Sequence, residues 1–242
     1  SDRPPKDWDC VRLRYRAKSG ETFTGETSMT VLRDGRGEVS GYYGLIRNVD
    51  RKVRMEKALA DLYWVSADQS LGFEERVDRL LDLGLFHFCQ DSAFVNRIDG
   101  ETYEVRRARG QWEGAVGQRF DLGMTYCDHT ISARSPVCFN AIGKSSAARH
   151  PAYAVQGFES YIGAPLFVDG EVFGTMCFVA GAERSAPFDS ADVEFLMMLA
   201  QWIGRELSAK RAFDRVEEAR ERAANTGVRL SEERERFRDF AA

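Results

Sequence analysis

The stretch from Glu159 to Phe178, ESYIGAPLFVDGEVFGTMCF, constrains the fold of this sequence more than any other. Apolar residues fill strand positions on both sides of the pair Asp169-Gly170, and glycine tolerates the positive φ that a tight hairpin turn requires. The stretch therefore predicts a β-hairpin. Small residues inside its strands, such as Gly163 and Gly174, predict that a helix or a ligand approaches the backbone closely.

The composition is that of an ordinary globular chain. Of 242 residues, 43% are hydrophobic and 30% are charged, enough for one large domain or for one domain with smaller additions. The net charge of −4 provides no basic face for nucleic acid. No apolar run reaches the length of a membrane span, so we expect no direct membrane insertion.

The cysteines favour a reducing environment. Five are scattered along the chain without a Cys-x-x-Cys pair, which argues against a disulfide framework and against a zinc knuckle. We therefore expect reduced thiols and a cytoplasmic location. The sequence begins without Met and ends within a helical pattern, so we expect it to be a segment of a longer protein.

Residues 9–50 have the pattern of three antiparallel strands, with turns predicted at residues 18–21 and 34–37. On the third strand, one face is expected to carry Tyr43, Leu45 and Val49.

A charged helix is predicted at residues 50–66. Its residues Met55, Leu59 and Leu62 have the spacing of a short coiled-coil seam. The helix is expected to connect two structural modules.

Helices and strands continue along the rest of the chain. The predicted elements are a helix at 70–90, strands at 91–98 and 102–108, an irregular stretch at 109–123, a helix at 125–133, a strand at 136–140 and a polar excursion at 143–157. In the helix at 70–90, His87 is expected to be a core residue rather than a ligand.

A long helix is predicted to begin at Asp189, whose side chain can cap it, and to run to about residue 224. The tripeptide Asn225-Thr226-Gly227 is expected to break this helix, and helical structure is expected to resume at residues 232–240.

The hairpin and the segment after it resemble the end of a GAF domain. The shared features, in order, are the strand YIGAPLFV, the Asp-Gly turn, the strand EVFGTMCF and a helix that opens at the acidic cap PFDSAD. The resemblance implies an α/β fold of the α+β kind, with a mostly antiparallel sheet flanked by helices. It implies a GAF-like domain at residues 70–212 and an exit helix at 213–242.

Residues 1–50 resemble the C-terminal part of a PAS domain, on the segments RYRAKSGETFTGE and VLRDGRGEVSGYYGLIRNVD followed by a charged helix. The resemblance implies a partial PAS-like three-stranded sheet joined by a connecting helix, residues 51–69, to the GAF-like domain. Together the two resemblances imply a sensory segment of a signalling protein whose output is a histidine kinase or a diguanylate cyclase. They also imply a homodimer formed through helices 50–66 and 193–224.

The candidate ligand site is the compartment between the sheet and residues 109–157. Such a site requires an apolar pocket with a few placed polar groups, and in GAF-like domains this region holds the ligand when there is one. The candidate binding residues are Phe94, Tyr126, Cys127, His129, Thr130, His150, Tyr153 and Tyr161. Alternatively, these side chains pack and hydrogen-bond among themselves, and the domain is a ligand-free dimerisation spacer.

Cofactor chemistry has weaker support in the sequence. A covalently bound bilin, as in phytochrome-like GAF domains, requires a Cys followed directly by His, whereas Cys127 is followed by Asp128, so no bilin is expected. His129 and His150 are conceivable axial ligands of a haem. No metal site is expected from adjacent residues such as Cys127, Asp128 and His129.

The enzyme alternative is a GAF-type reductase of free methionine sulfoxide that uses Cys127. That chemistry requires a nucleophilic thiolate, a resolving thiol and an acid, for which Cys138 and Glu159 are candidates. The third cysteine that the resemblance implies is missing between residues 139 and 176. Since no phosphate-binding loop or kinase motif occurs, we expect this segment to be non-enzymatic.

Overall fold

The computed structural model describes residues 8–18, 20, 22–68 and 70–240. The chain forms two compact units, which divide between Trp64 and Val65. Part of the first predicted turn, at Ser19 and Glu21, lies outside the described residues.

The first unit is a three-stranded antiparallel sheet in the order β1-β2-β3, followed by the start of helix α1. The strands are β1 (Trp8–Arg16), β2 (Thr22–Arg33) and β3 (Val39–Asn48), and the helix is α1 (Asp50–Ala67). The three predicted strands and the helix are therefore confirmed. The expected common face of β3 is wrong in part, because Val49 lies beyond the end of the strand and is buried, whereas Tyr43 and Leu45 are exposed.

Asp50 fixes the start of α1 against the sheet. Its carboxylate accepts a hydrogen bond from the backbone N–H of Thr24 at 2.8 Å. This bond lowers the pKa of Asp50, because it favours the charged form of the carboxyl group.

The second unit contains a six-stranded antiparallel sheet between two layers of helices and loops. Its elements are α2 (Phe73–Phe88), β4 (Ser92–Asp99), β5 (Thr102–Gly110), β6 (Arg119–Asp121), α3 (Cys127–Ala133), β7 (Val137–Phe139), α4 (Pro151–Gln156), β8 (Ser160–Val168), β9 (Glu171–Ala180) and α5 (Ser190–Phe240). The strand order is β6-β5-β4-β9-β8-β7, and every neighbouring pair is antiparallel. The predicted α/β fold class is confirmed.

The predicted hairpin is β8 and β9. Asp169 and Gly170 have φ values of 55° and 84°, the left-handed conformation that a two-residue hairpin turn requires at both central positions. The register pairs Ile162 with Phe178 and Gly163 with Cys177. Because side chains alternate along a strand, these two pairs point to opposite faces of the sheet.

Helices α2 and α5 cover one face of the sheet, which we call the helix face. Phe178 contacts Phe88 of α2 with ring centroids 4.9 Å apart, and Phe88 contacts Phe195 of α5 at 5.9 Å. An ion pair between Arg76 and Glu206, at 2.9 Å, joins the two helices at their edge. The opposite face is covered by α3, α4 and the loops of residues 111–157, and we call it the cavity face.

Helix α5 begins with a reciprocal pair of hydrogen bonds. The backbone N–H of Asp192 donates to the Asp189 carboxylate at 2.9 Å, and the backbone N–H of Asp189 donates to the Asp192 carboxylate at 3.1 Å. Asp189 therefore caps the helix as the sequence predicts. His87 is buried, as expected, with its Nε2 atom 3.4 Å from Asp192 Oδ1.

Two predicted features of the chain are wrong. The stretch 109–123 is not wholly irregular, because it contains β6, which pairs with the start of β5. This strand has only three residues and lies between glycines, so its sequence gives no alternating pattern. The predicted break at Asn225-Thr226-Gly227 does not occur, because α5 is continuous from Ser190 to Phe240. One glycine costs a helix about 1 kcal/mol, which strong helix formers on both sides can offset.

Gly84 provides a test of the packing between α2 and the sheet. A Cβ atom at this position would overlap the ring of Phe178, although alanine normally stabilises a helix relative to glycine. We expect Gly84→Ala to lower the free energy of unfolding by about 1–3 kcal/mol, measured by urea denaturation. The control is Gly114→Ala, where no atom lies within 4 Å of the added methyl group. Equal stability of the two variants would contradict this packing.

Candidate functional site

A cavity of about 130 Å³, which we call the central cavity, lies between the cavity face and the segment that covers it. Its lining is mostly aromatic and aliphatic. An apolar cavity of about 150 Å³ is known to bind benzene, so the central cavity is suited to a small molecule. The lining residues are Phe94, Tyr103, Val105, Trp112, Ala115, Phe120, Met124, Thr125, Tyr126, Cys127, Val155, Gln156, Phe158, Tyr161, Cys177 and Val179.

Four of the predicted binding residues line this cavity: Phe94, Tyr126, Cys127 and Tyr161. Thr130 lies directly behind it, fully buried, with its hydroxyl 2.6 Å from the hydroxyl of Tyr161. Burial, together with Tyr153 and Glu159, raises the pKa of Tyr126 to about 12, so its hydroxyl is neutral.

The other three predicted residues lie outside the lining. His129 and His150 lie beside Tyr126, with the two imidazole centroids 4.8 Å apart and the rings tilted by 49°. Burial and the neighbouring His129 lower the pKa of His150. Because neither imidazole lines the central cavity, these residues do not fit the role of axial haem ligands within it.

Tyr153 belongs to a separate polar contact. Its hydroxyl donates to Glu159 at 2.6 Å, and the backbone N–H of Gly143 donates to the same carboxylate at 2.9 Å. These two bonds lower the pKa of Glu159. Glu159 is the candidate acid for sulfoxide reduction, and its carboxylate is already engaged by these two hydrogen bonds.

The inner end of the central cavity carries a buried polar group that we call the thiol cluster: Cys127, Thr175, Cys177 and Tyr161. The Cys127 and Cys177 sulfur atoms lie 3.6 Å apart. The Thr175 hydroxyl donates to Cys127 Sγ at 3.1 Å, and the Tyr161 hydroxyl donates to it at 3.6 Å. All four residues are at most 2% exposed.

The two thiols differ in acidity. Burial raises the pKa of Cys127, but hydrogen bonds from Cys177, Thr175 and two tyrosines outweigh it, so the pKa of Cys127 is lowered overall. The hydrogen bond to Cys127, together with burial, raises the pKa of Cys177 well above its ordinary value. Cys127 is therefore the more acidic thiol of the pair, and Cys177 is the less acidic one.

Asn96 orients the hydroxyl of Thr175. The Asn96 amide donates to Thr175 Oγ1 at 3.3 Å, and it also lies 3.7 Å from Cys177 Sγ. Because Thr175 Oγ1 accepts this bond, its own proton is directed to Cys127. Asn96 Oδ1 is buried and, among the described residues, has no hydrogen-bond partner.

Sequence reasoning missed half of the thiol cluster. Thr175 and Cys177 alternate with Met176 and Phe178 along β9, so they lie on the opposite face of the strand. Their alternation, which places a hydroxyl and a thiol on the face opposite two large apolar side chains, was an available signal. Tyr103, Trp112 and Phe158 were also missed, because they enter the lining from three separate segments.

Neither a cluster of metal ligands nor a membrane-spanning helix occurs among the described residues. No group of three or more His, Cys, Asp or Glu side chains is arranged to hold a metal ion. In the same part of the chain, no helix combines the length and the hydropathy needed to cross a membrane.

Residues 73–207 match the GAF domain family. The match covers more than half of the sequence, and the chain belongs to this family. GAF domains are common sensory or regulatory modules of signalling proteins. A search of curated proteins gave no significant match.

Three solved structures show the same fold. A phosphoenolpyruvate-protein phosphotransferase GAF domain from Coxiella burnetii is 18% identical, with a TM-score of 0.55 over 67% of this chain and 97% of that chain. The free methionine-R-sulfoxide reductase from Neisseria meningitidis, in complex with its substrate, is 15% identical, with a TM-score of 0.53 over 66% and 93%. The chromophore-binding domain of an unusual bacteriophytochrome from R. palustris is 10% identical, with a TM-score of 0.55 over 85% and 76%.

The arrangement of cysteines does not favour the reductase alternative. Cys138 pairs with Ile162 in the sheet, and both belong to the helix face, whereas Cys127 lies on the cavity face. Burial and the nearby Asp192 raise the pKa of Cys138 to about 11. The thiol that lies beside Cys127 is Cys177 and not the candidate Cys138, because spacing along the chain does not reveal the face of a strand.

The Thr175 hydroxyl can be tested as a determinant of Cys127 acidity. In Thr175→Val, loss of the donor should raise the pKa of Cys127 and slow its alkylation at neutral pH by at least about tenfold, because a hydrogen bond to a charged group contributes about 1.5–3 kcal/mol. The measurement is the iodoacetamide rate against pH, followed at Cys127 by peptide mass spectrometry. Thr125→Val is the control, because Thr125 lines the same cavity and donates to Leu122 instead. An unchanged profile in Thr175→Val would refute this role.

Proposed function

We propose that this chain is a sensory segment of a signalling protein, in which the GAF domain binds a small, mostly apolar molecule in the central cavity. The observation that supports this most strongly is the cavity itself, which combines an apolar lining with a hydrogen-bonding inner end. From its volume, the ligand has about six to eight non-hydrogen atoms. Tyr126, Cys127 and Tyr161 are the groups that would orient it.

The sheet connects the cavity with the long helix. Along β8 and β9, Tyr161 and Cys177 face the cavity, while their neighbours Ile162 and Phe178 pack on the helix face. The hairpin turn is held to α5 by a bond from the Asp169 backbone N–H to Ser208 Oγ at 3.0 Å. We consider two conformations of the domain that differ in this contact between the hairpin and α5. A ligand would shift the position of α5 only if it bound one conformation more tightly than the other.

Dimerisation through α5 is part of the proposal. The helix has 51 residues and so extends about 76 Å. Beyond the domain, small and apolar residues follow a coiled-coil spacing of three and four: Ala209, Ala212, Val216, Ala219 and Ala223. Helices gain most of their stability from packing, and the exposed Val216 and Phe213 offer apolar surface for a second copy. The seam of helix 50–66 would add to the same homodimer.

The proposal also covers the segment before the GAF domain and the output that follows it. Residues 1–50 would be the end of a PAS-like domain, and the signal would pass from α5 to an output module such as a histidine kinase or a diguanylate cyclase. This segment would itself be non-enzymatic. The second candidate is a ligand-free dimerisation spacer. A homodimer that binds no small molecule would favour this candidate.

Filling the central cavity should abolish binding. Ala115→Leu adds three carbon atoms to the lining, and Val155→Trp enlarges an exposed side chain of the lining. We expect each variant to bind benzene at least about tenfold more weakly than the unaltered protein, in titrations followed by NMR. Val116→Trp is the control, because Val116 is also exposed but does not line the cavity. Equal binding by all four proteins, or by none, would contradict the proposed site.

The α5 dimer can be tested by sedimentation at micromolar concentration. Val216→Glu places a charge in the proposed seam, where burial without a partner is unfavourable, and should raise the dimer dissociation constant at least about tenfold. Lys210→Gln changes the net charge by the same amount outside the seam and should leave the dimer intact. A monomeric unaltered protein would refute the dimer.

A further inference from the structure

The thiol cluster has the features of a reactive pair rather than of two structural cysteines. The two sulfur atoms are 3.6 Å apart, both residues line the central cavity, and the hydroxyls of Thr175 and Tyr161 both donate to Cys127. The other cysteines with described surroundings lack this arrangement: Cys138 lies on the helix face, and Cys89 is exposed at the end of α2. A buried structural thiol needs neither hydroxyl donors nor a second thiol within contact distance.

We propose that Cys127 and Cys177 form an oxidisable dithiol that reacts with small hydroperoxides in the central cavity, Cys127 as the nucleophile and Cys177 as the resolving thiol. The proposal rests on the proposed function, because the oxidant must enter the same cavity. Small hydroperoxides are the class of molecule that would react at the inner end of the cavity. A compact hydroperoxide such as tert-butyl hydroperoxide has six non-hydrogen atoms and matches the size expected from the volume.

The chemistry proceeds in two steps. The Cys127 thiolate attacks the outer oxygen of the hydroperoxide, so that an S–O bond forms and the O–O bond breaks. The departing alkoxide takes one proton from bulk solvent, which replaces the proton that Cys127 released on ionising, and leaves as an alcohol, or as water when the oxidant is hydrogen peroxide. Cys127 is then a sulfenic acid.

In the second step the Cys177 sulfur attacks the Cys127 sulfur. An S–S bond forms, the S–O bond breaks, and the hydroxide leaves as water with the Cys177 proton. The two cysteines together lose two electrons, and the hydroperoxide gains them. A low-molecular-weight dithiol would restore the two thiols by thiol–disulfide exchange and would itself become a disulfide.

The positions of the donors suit both steps. Thr175 and Tyr161 stabilise the Cys127 thiolate before attack, because their hydroxyls donate to its sulfur. The Asn96 amide lies 3.7 Å from Cys177 Sγ, where it can stabilise negative charge on the attacking sulfur. Asn96 is therefore a positioning residue for the second step.

The disulfide would move α3, which covers part of the central cavity, toward the sheet. A disulfide requires the sulfur atoms to approach from 3.6 Å to about 2.05 Å, and Cys127 is the first residue of α3 while Cys177 is central in β9. Thr130, three residues along α3, is bonded to Tyr161 of β8. Oxidation would thus draw α3 against the hairpin that contacts α5 on the other face.

The test treats the full, reduced chain without oxygen with stoichiometric hydrogen peroxide or tert-butyl hydroperoxide. We expect a loss of two hydrogens from the intact mass and a Cys127–Cys177 linked peptide, formed at least about tenfold faster than oxidation of Cys89. In Cys177→Ser, a sulfenic acid should accumulate at Cys127 and be captured by dimedone. In Cys127→Ser, neither product should form, and Cys89→Ser is the matched control that should behave like the unaltered chain.

The outcomes separate this inference from the proposed function. Benzene binding without a Cys127–Cys177 link would overturn the dithiol inference and leave ligand binding intact. A rapid link without benzene binding would support the dithiol and overturn the wider ligand proposal. A link formed with methionine sulfoxide and not with either hydroperoxide would overturn the oxidant class in favour of a sulfoxide reductase.

Discussion

The pairing of β8 with β9 is the constraint on which the rest of the second unit depends. The Asp169-Gly170 turn fixes the register, and the register decides which side chains meet the helices and which meet the cavity. A shift by one residue would exchange the two sets, placing Cys177 against α2 and Phe178 in the cavity. The core and the candidate site are therefore specified by the same backbone contacts.

The thiol cluster is the part of this arrangement that stability alone does not explain. Burial of hydroxyl, amide and thiol groups is unfavourable unless each finds a partner, and apolar residues of similar shape would fill the space more simply. In this domain the partners are arranged asymmetrically, since two hydroxyls donate to Cys127, whose pKa is lowered, whereas the pKa of Cys177 is raised. The cluster is best understood as a functional group at the inner end of a small apolar cavity.

The sequence allowed the fold to be predicted because its signals were local. The hairpin turn, the alternating strands and the Asp189 cap each depend on neighbouring residues. The site was predicted in part: Phe94, Tyr126, Cys127 and Tyr161 reach the cavity lining, whereas His129, His150 and Tyr153 occupy adjoining contacts. Cys177 and Thr175 were missed because their partner Cys127 is some fifty residues away, and only the sheet register brings them together. The helix α5 continues past Gly227 because strong helix formers lie on both sides of it, and they offset the unfavourable effect of the glycine.

The measurement that tests the account most directly is a crystal structure of the reduced chain under xenon pressure. An apolar cavity of this size stays dry and takes up xenon. The account predicts one xenon atom in the central cavity, between Phe94 and Tyr126, with the two reduced sulfur atoms at its inner end. A cavity filled by ordered water or closed by its own side chains, with xenon bound elsewhere or not at all, would contradict it.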